Sequence, residues 1–332
     1  MKIALDAMGS DNAPFSDVEG AVLAAREYGY EIILVGNEDL IKKELDKYKP
    51  VPSNISIHHA SEVIGMHEQP VLSVRRKKDS SIVALGNLAK EKKADAIVSA
   101  GNTGAMVCSA TLKCRLLPGI ERAGIGIVMP TMKGPMVMID GGANIDAKPS
   151  HLLQYGIMAS AYSEYILGRK SPRVGLLNVG EEESKGTGSL KEAYGLLESS
   201  GINFIGNVEG RDFFIGDCDV IVCDGLVGNV ALKVTESVAY AFGELLKREL
   251  KSNLLSAIGA ILAKNSFRSI KRRMDYTEYG GAPLLGIDGV CIIGHGSSTP
   301  KAIKNAIRVA GEEVVKNVNQ HIVEAISGRK GQ

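Results

Sequence analysis

Ser99, Asn102 and Thr103, set around Gly101 and Gly104 in the stretch DAIVSAGNTGAMVCSAT, bring hydroxyl, amide and backbone N–H groups to the turn between a short apolar strand and a helix. The start of a helix leaves its first N–H groups without intrahelical partners, and the glycines allow positive φ and close approach of a ligand. That combination is the chemistry of an anion site. The same residue types also serve plain helix capping, so this pattern by itself leaves both readings open.

The grammar recurs. Six times along the chain an apolar strand ends in a polar residue and glycine, usually with a helix to follow. These loops supply Asp6 and Gly9 in DAMGSD, Asp140 and Asn144 in IDGGANIDAKP, and Asn178, Glu181 and Lys185 in NVGEEESKG. They also supply Asp224 and Asn229 in CDGLVGN, with Lys233 just beyond, and His295 and Ser297 in GHGSS. Donors and glycine backbone with a few carboxylates suit a phosphate and a polarised carbonyl; a metal centre would want clustered His or carboxylate at ligand spacing, and none is expected. Neither G-x-G-x-x-G nor G-x-x-x-x-G-K-[ST] occurs, and there is no G-x-S-x-G elbow and no loop cysteine beside a histidine. A lone loop histidine such as His295 is either structural or an aid to a leaving group.

The elements that position these loops read as strands at Lys2 to Asp6, Glu31 to Val35, Ile55 to His58, Asp95 to Ser99, Ile125 to Met129, Met136 to Asp140, Arg173 to Leu177, Asn203 to Ile205, Asp219 to Cys223 and Val290 to Ile293. Helices are expected over Phe15 to Tyr28, Val71 to Lys92 (one kinked or two), His151 to Leu167, Val230 to Leu250 and Ala302 to Ser327. This order predicts an α/β fold with a large, open, mostly parallel sheet, helices on both faces and ligand sites at the carboxyl ends of the strands. The 332 residues form a single catalytic unit, or two lobes around a central cleft.

Lysine plus arginine (39) balances aspartate plus glutamate (38), so no global field recruits nucleic acid and an anionic partner needs a local patch. Arg75, Arg76, Lys77 and Lys78 offer one, or else only a solvated helix face. The five cysteines lack paired spacing and read as buried reduced thiols. MKIALDA at the start reads as a strand, and no apolar run approaches the roughly 20 residues of a bilayer span, so the expectation is a cytoplasmic protein without signal peptide. Between 252 and 275 lies a protruding amphipathic and basic segment: Leu254, Leu255, Ile258, Ile261 and Leu262 fall on one helical stripe, and Lys271, Arg272 and Arg273 follow. Such a stripe faces a core, a dimer partner or a membrane surface.

DAMGSD, PVLSVRRKKDSS, SAGNTG, GANIDAKP with HLLQYGIMAS, SPRVGLLNVGEEESKG, NFIGNVEGRD, CDGLVGN and HGSS, in that order over almost the whole chain, resemble the phosphate acyltransferases of bacterial phospholipid synthesis. The resemblance implies formation of acyl-phosphate from a long-chain acyl-(acyl carrier protein) and inorganic phosphate, with no metal or organic cofactor. It further implies a fold related to phosphotransacetylases and isocitrate/isopropylmalate dehydrogenases, a homodimer, and peripheral association with the inner face of the cell membrane. On that footing phosphate is the nucleophile and no acyl-enzyme forms. The SAGNTG turn and Lys185 or Lys233 hold its charge, Asn229 and Asn178 are candidate oxyanion donors, and His295 could assist. The acidic carrier would dock on Arg75 to Lys78 or on Lys271 to Arg273, and a glycerol-phosphate acyltransferase would consume the product. The alternative is a phosphotransacetylase-like enzyme using acyl-coenzyme A, which would need an adenine pocket and have no use for a lipid-seeking helix. Two positions depart from the family pattern. Ser10 stands for a glycine, which would strain a positive-φ loop, and Val227 stands for a threonine, so no phosphate contact is expected from its side chain.

Overall fold

Short uninterrupted apolar runs such as IAL, AIV and VIV signal strands covered on both faces, and in the computed structural model, which describes residues 1–267 and 279–328, they are the buried centres of two sheets. The first sheet takes the order β3 (Ile55–His59), β2 (Glu31–Gly36), β1 (Lys2–Asp6), β4 (Ala96–Ser99), β12 (Val290–Ile293), β11 (Ala282–Leu285), β5 (Gly124–Ile125). Its first five strands are parallel, while β11 runs antiparallel to both of its neighbours. The second takes the order β6 (Ile127–Thr131), β7 (Gly134–Ile139), β10 (Val220–Val222), β8 (Val174–Leu177), β9 (Phe204–Val208), parallel but for β6. The α/β class and the mostly parallel pairing are as expected from the sequence. The division into two sheets is new, and the chain crosses between them at Gly126, the single residue separating β5 from β6.

Alternation along β1 decides which helices cover it, since successive side chains point to opposite faces. Ile3 and Leu5 pack with Val18 and Ala21 of α1 (Phe15–Tyr28) and with Ile303 and Ile307 of α10 (Pro300–Val315). Ala4 faces Ile82 and Leu85 of α4 (Ser81–Lys90) and Met106 of α5 (Thr103–Cys114). On the second sheet Val137, Ile139, Val220 and Val222 pack with Tyr155 and Tyr162 of α6 (Pro149–Tyr165), Leu197 of α7 (Gly188–Glu198) and Ile322 of α11 (Val318–Ser327).

Several boundaries differ from the sequence reading for local reasons. Residues 71–92 form two helices, α3 (Pro70–Arg76) and α4, because Ser80 caps the second through Oγ and the Val83 N–H. Helix α8 runs Gly225–Leu250, five residues earlier than expected, because Asp224 accepts bonds from the Leu226 and Val227 N–H groups. The C-terminal helix is two, α10 and α11, divided at Asn317, which takes a left-handed φ of 48° that asparagine tolerates. Helices α2 (Glu38–Leu45) and α9 (Leu254–Leu262) complete those used below. Among the described residues no helix is long and apolar enough to cross a membrane.

Candidate functional site

Three loops meet at the carboxyl end of the first sheet. The buried Asp6 carboxylate ends β1 and accepts bonds from Ser99 Oγ at 2.8 Å and the Met8 N–H at 3.1 Å. Ser99 Oγ in turn accepts the Gly101 N–H at 3.1 Å. Burial pushes the Asp6 carboxyl above the usual carboxylate range. A Cβ at Gly9 would stand 2.7 Å from Asp6 Oδ2 and 2.8 Å from Gly101 N, so the DAMGSD loop lies directly on the SAGNTG turn. Neither Gly101 nor Gly104 takes the positive φ that the sequence suggested; space is what the turn needs at Gly104, where a Cβ would meet Pro70 Cγ at 2.6 Å. Ser10 is likewise free of positive φ, so the strain expected there is absent, and its hydroxyl donates to Asp17 Oδ2 at 2.7 Å.

Asn102 is wholly engaged within the protein. Its Oδ1 caps α5 by accepting the Ala105 N–H at 3.0 Å, and its Nδ2 donates to the carbonyls of Gly65, Met66 and Glu68 at 3.1, 3.2 and 3.2 Å. The donors left for an anion are the Thr103 and Gly104 N–H groups of the first helical turn, with the exposed Thr103 side chain beside them.

The second sheet repeats the arrangement with different residues. Asp140 follows β7 and is fully buried; Oδ1 accepts the N–H groups of Ile125, Gly142 and Ala143, and Oδ2 that of Asn144 at 2.7 Å. Burial is the first influence on its carboxyl and raises it, with the backbone donors pulling the other way. Because Ile125 belongs to the first sheet, this carboxylate ties the two sheets at their crossing. Asn144 Nδ2 donates to Ala123 O at 2.7 Å and to Tyr155 Oη at 2.8 Å. The start of α8 presses on this loop: a Cβ at Gly228 would stand 2.0 Å from Asp140 O, a spacing only glycine allows. Asn229 follows in the first turns of α8 rather than before the helix; it is exposed and holds Gly141 O by one long 3.3 Å bond.

Lys233 and His295 join the two loop sets. Lys233 Nζ lies 3.5 Å from His295 Nε2 and 2.8 Å from Glu236 Oε2. The Ser297 N–H donates to His295 Nδ1 at 3.2 Å, with the Ser297 hydroxyl 2.8 Å from the same nitrogen, so in the neutral ring the proton falls on Nε2 and the approach of Lys233 is a close contact of two donors, open to an anion between them, rather than a hydrogen bond. Beside them Asn229, Val230, Lys233, Val234, Ser237 and Val238 line an open cavity of about 390 Å³. Polar groups stand at its Asn229 and Lys233 end, and valines run out along α8.

The NVGEEESKG loop stands apart. Both polar atoms of Asn178 serve that loop, Oδ1 accepting the Val179 N–H at 2.8 Å and Nδ2 donating to Lys185 O at 3.2 Å, which leaves the amide one further N–H. Lys185 is exposed and has Glu182 at 3.9 Å, while Glu181 pairs with Arg211 at 2.7 Å. No bond among the described residues joins this loop to Asn229 or to the SAGNTG turn. Asp224 serves as the α8 cap, and Val227 gives that cap its N–H while its side chain is exposed.

Of the basic run, Arg75, Arg76 and Lys78 are exposed, but Lys77 turns inward to Glu68 at 2.6 Å and Val63 O at 2.7 Å. Lys271, Arg272 and Arg273 lie outside the described residues. The α9 stripe is bare: Leu254, Leu255, Ile258, Ile261 and Leu262 are between 47% and 82% exposed. Among the described residues no group of His, Cys, Asp and Glu has the makings of a metal site. Sequence reasoning missed Asp17, Tyr155 and the Gly65–Glu68 loop. The first carried a signal, an acid at helical spacing from the buried Ala21 and Ala24, and the other two carried none.

Known proteins agree with this architecture. A phosphotransacetylase structure from Streptococcus pyogenes superposes with a TM-score of 0.66 at 17% identity, covering 95% of this chain and 94% of that one, which speaks to the fold. Two curated relatives, each named phosphate acyltransferase, are far closer in sequence. That of Geotalea uraniireducens is 49% identical over 98% of this chain and 94% of its own length. That of Alkaliphilus oremlandii is 51% identical over 98% of each. A family model described as "Fatty acid synthesis protein" matches residues 1–321, and with relatives this similar over nearly the whole length, the chain belongs to that family.

Proposed function

We propose that this protein is a phosphate acyltransferase that moves a long-chain acyl group from acyl carrier protein onto inorganic phosphate. The observation that carries the reading is the approach of Lys233 to His295 across the two loop sets, 3.5 Å apart, beside Asn229 and an apolar cavity. Phosphate rests on the Thr103 and Gly104 N–H groups; Lys233 offsets its charge, and one of its oxygens attacks the thioester carbonyl. Asn229 Nδ2, held only weakly by Gly141 O, is the amide with freedom to turn to the developing oxyanion. The C–O bond forms as the C–S bond breaks, giving acyl-phosphate and carrier thiolate. The thiolate takes its proton from the hydrogen phosphate, whose remaining proton becomes more acidic on acylation; with a thiol pKa of about 8.5, no strong acid is required. Direct transfer leaves positioning and electrostatics as the catalytic means.

The remaining assignments follow from exposed surface and, for Lys271 to Arg273, from the sequence alone. Arg75, Arg76 and Lys78 meet the acidic carrier, with Lys271, Arg272 and Arg273 the second patch. Helix α8, a rod about 39 Å long, buries only Gly225 and Gly228, and beyond the cavity-lining valines it exposes Phe242 and Leu245, which a second copy covers in a homodimer. The α9 stripe holds the dimer on the inner face of an anionic membrane, where a glycerol-phosphate acyltransferase consumes the lipophilic product. The test is release of carrier thiol from acyl-(acyl carrier protein), with hydroxylamine trapping of acyl-phosphate, at varied phosphate. Thiol release independent of phosphate overturns the reading, and turnover with acyl-coenzyme A alone replaces it with the phosphotransacetylase one.

A further inference from the structure

Two carboxyl groups lie behind the turn that faces the anion, where negative charge is least wanted. Asp6 ends β1 and Asp17 stands in the first turn of α1, both fully buried. Ser99 Oγ donates to Asp6 Oδ2 at 2.8 Å, with the Ser81 side chain also acting on that carboxyl, and Ser10 Oγ donates to Asp17 Oδ2 at 2.7 Å. The other oxygen of Asp17, Oδ1, is buried without a partner. Asp6 is the charged group whose field reaches Asp17 among the described residues; α10 meets α1 at Gly20 with Ile303 and the Pro300 carbonyl. From Ser10 the chain passes to Gly9, whose backbone touches both Asp6 and the Gly101 N–H. Asp17 therefore reaches the anion turn through one hydrogen bond and one residue of chain.

A buried carboxylate oxygen with no donor is the natural seat of a proton, since ionising both acids would place two uncompensated charges in one apolar region. We propose that Asp17 is a positioning residue of the phosphate site: anion binding at the SAGNTG turn is accompanied by uptake of a solvent proton on Asp17 Oδ1, which holds the Ser10–Gly9 loop on Gly101 without a second negative charge behind the anion. The proposal rests on the phosphate placement above. Burial lifts the Asp17 carboxyl to about 7, against the Ser10 bond and with help from Asp6, so the uptake falls in the working pH range.

Phosphate itself titrates near neutrality, so the probe is sulfate, a dianion throughout that range, used as a competitive inhibitor of the full-length chain. Linkage makes its inhibition constant rise with pH as Asp17 ionises in the free enzyme, by about tenfold from pH 6 to pH 9 if the bound anion shifts the carboxyl by about one unit. In Asp17→Asn, whose amide oxygen still accepts from Ser10, the rise should fall below about twofold. Calorimetry of sulfate binding to the wild type in buffers of different ionisation enthalpy should show net proton uptake near pH 7, and does so even if the variant fails to fold. Equal pH dependence in wild type and a folded Asp17→Asn, or zero uptake, overturns the role of Asp17. Failure of the phosphate placement looks different: sulfate then binds with proton uptake but does not compete with phosphate, or does not bind at all, and the proposal falls with the site.

Discussion

Replacing Asn102 by alanine is expected to damage stability as much as phosphate binding. The residue types left capping and anion binding both open, and the structure turns both ends of the amide inward. Oδ1 caps α5 at 3.0 Å, and loss of such a cap costs about 1 kcal/mol. The two Nδ2 hydrogens are shared among three carbonyls at 3.1 to 3.2 Å, and each N–H bond contributes about 1 kcal/mol, with further loss where a carbonyl stays dry. Together these give about 2 to 4 kcal/mol, read as a fall in the urea midpoint at unchanged slope. The Michaelis constant for phosphate should rise as well, because the Gly65–Glu68 loop is released from the turn and the α5 N–H groups are no longer fixed. Asn102→Asp separates the effects: it keeps the cap, loses the three carbonyls and sets a negative charge beside the anion, so it should bind phosphate worse than the alanine variant while being better capped. A loss below about 0.5 kcal/mol for Asn102→Ala would refute the reasoning.

Asn229→Ala and Lys233→Ala should each lower turnover by about 100-fold with little change in melting, since both side chains are exposed and weakly tied; near-normal rates in a folded variant remove that residue from the mechanism. Leu254→Glu or Ile258→Glu should release the protein from anionic vesicles without lowering its melting temperature, as these side chains are 78% and 47% exposed, whereas unfolding or splitting of a dimer points to an interface instead. Reversing Arg75 and Arg76 to glutamate should weaken carrier-dependent turnover and flatten its salt dependence, and an unaltered salt response rejects that patch. Buried Glu313 is raised to about 8 by burial, with Glu312 adding to the rise. It is neutral in the fold while the unfolded chain sheds its proton above about 4.3, so stability should fall by up to about 1.4 kcal/mol per pH unit from there up to its folded titration near 8. Glu313→Gln should remove that slope, and identical pH–stability curves would show that the carboxyl is not buried neutral.

The strands were legible because a strand covered on both faces leaves an apolar run, and AIV and VIV leave nothing else. The helix Phe15–Tyr28 was legible to the residue. What could not be read was the switch at Gly126. Residues 125–129 form one apolar run, so pattern alone makes one strand of them. Their division depends on a distant partner, β11, whose antiparallel pairing takes Gly124 and Ile125 into the first sheet while Ile127 onward pairs with β7. A four-residue APLL between glycines gives no period to detect, and without it the second sheet has no visible beginning.

The site divides along a similar line. That Asn102, Asn178 and Asn229 stand at strand ends was plain from sequence, yet the three amides differ wholly in what they have left to give. Each had the same local chances, a helix start to cap or a glycine turn to close, and tertiary neighbours decide which amide is used up: the 65–68 carbonyls take both Asn102 hydrogens, while Asn178 and Asn229 each give one bond and differ in exposure, Asn178 being buried and Asn229 exposed. Glycine reports on the same neighbours from the other side. Gly228 is required by the carbonyl of Asp140, 88 residues earlier in the chain, so its presence after CDGLV marks a backbone approach without naming the partner. Asp17 shows how far such reading can be pushed. It lies on the face of α1 that buries Ala21 and Ala24, and an acid there requires either a cation or a proton. The net charge of the chain cannot choose between them; the Ser10 hydroxyl on Oδ2, the bare Oδ1 and the lack of any neighbouring cation among the described residues choose the proton.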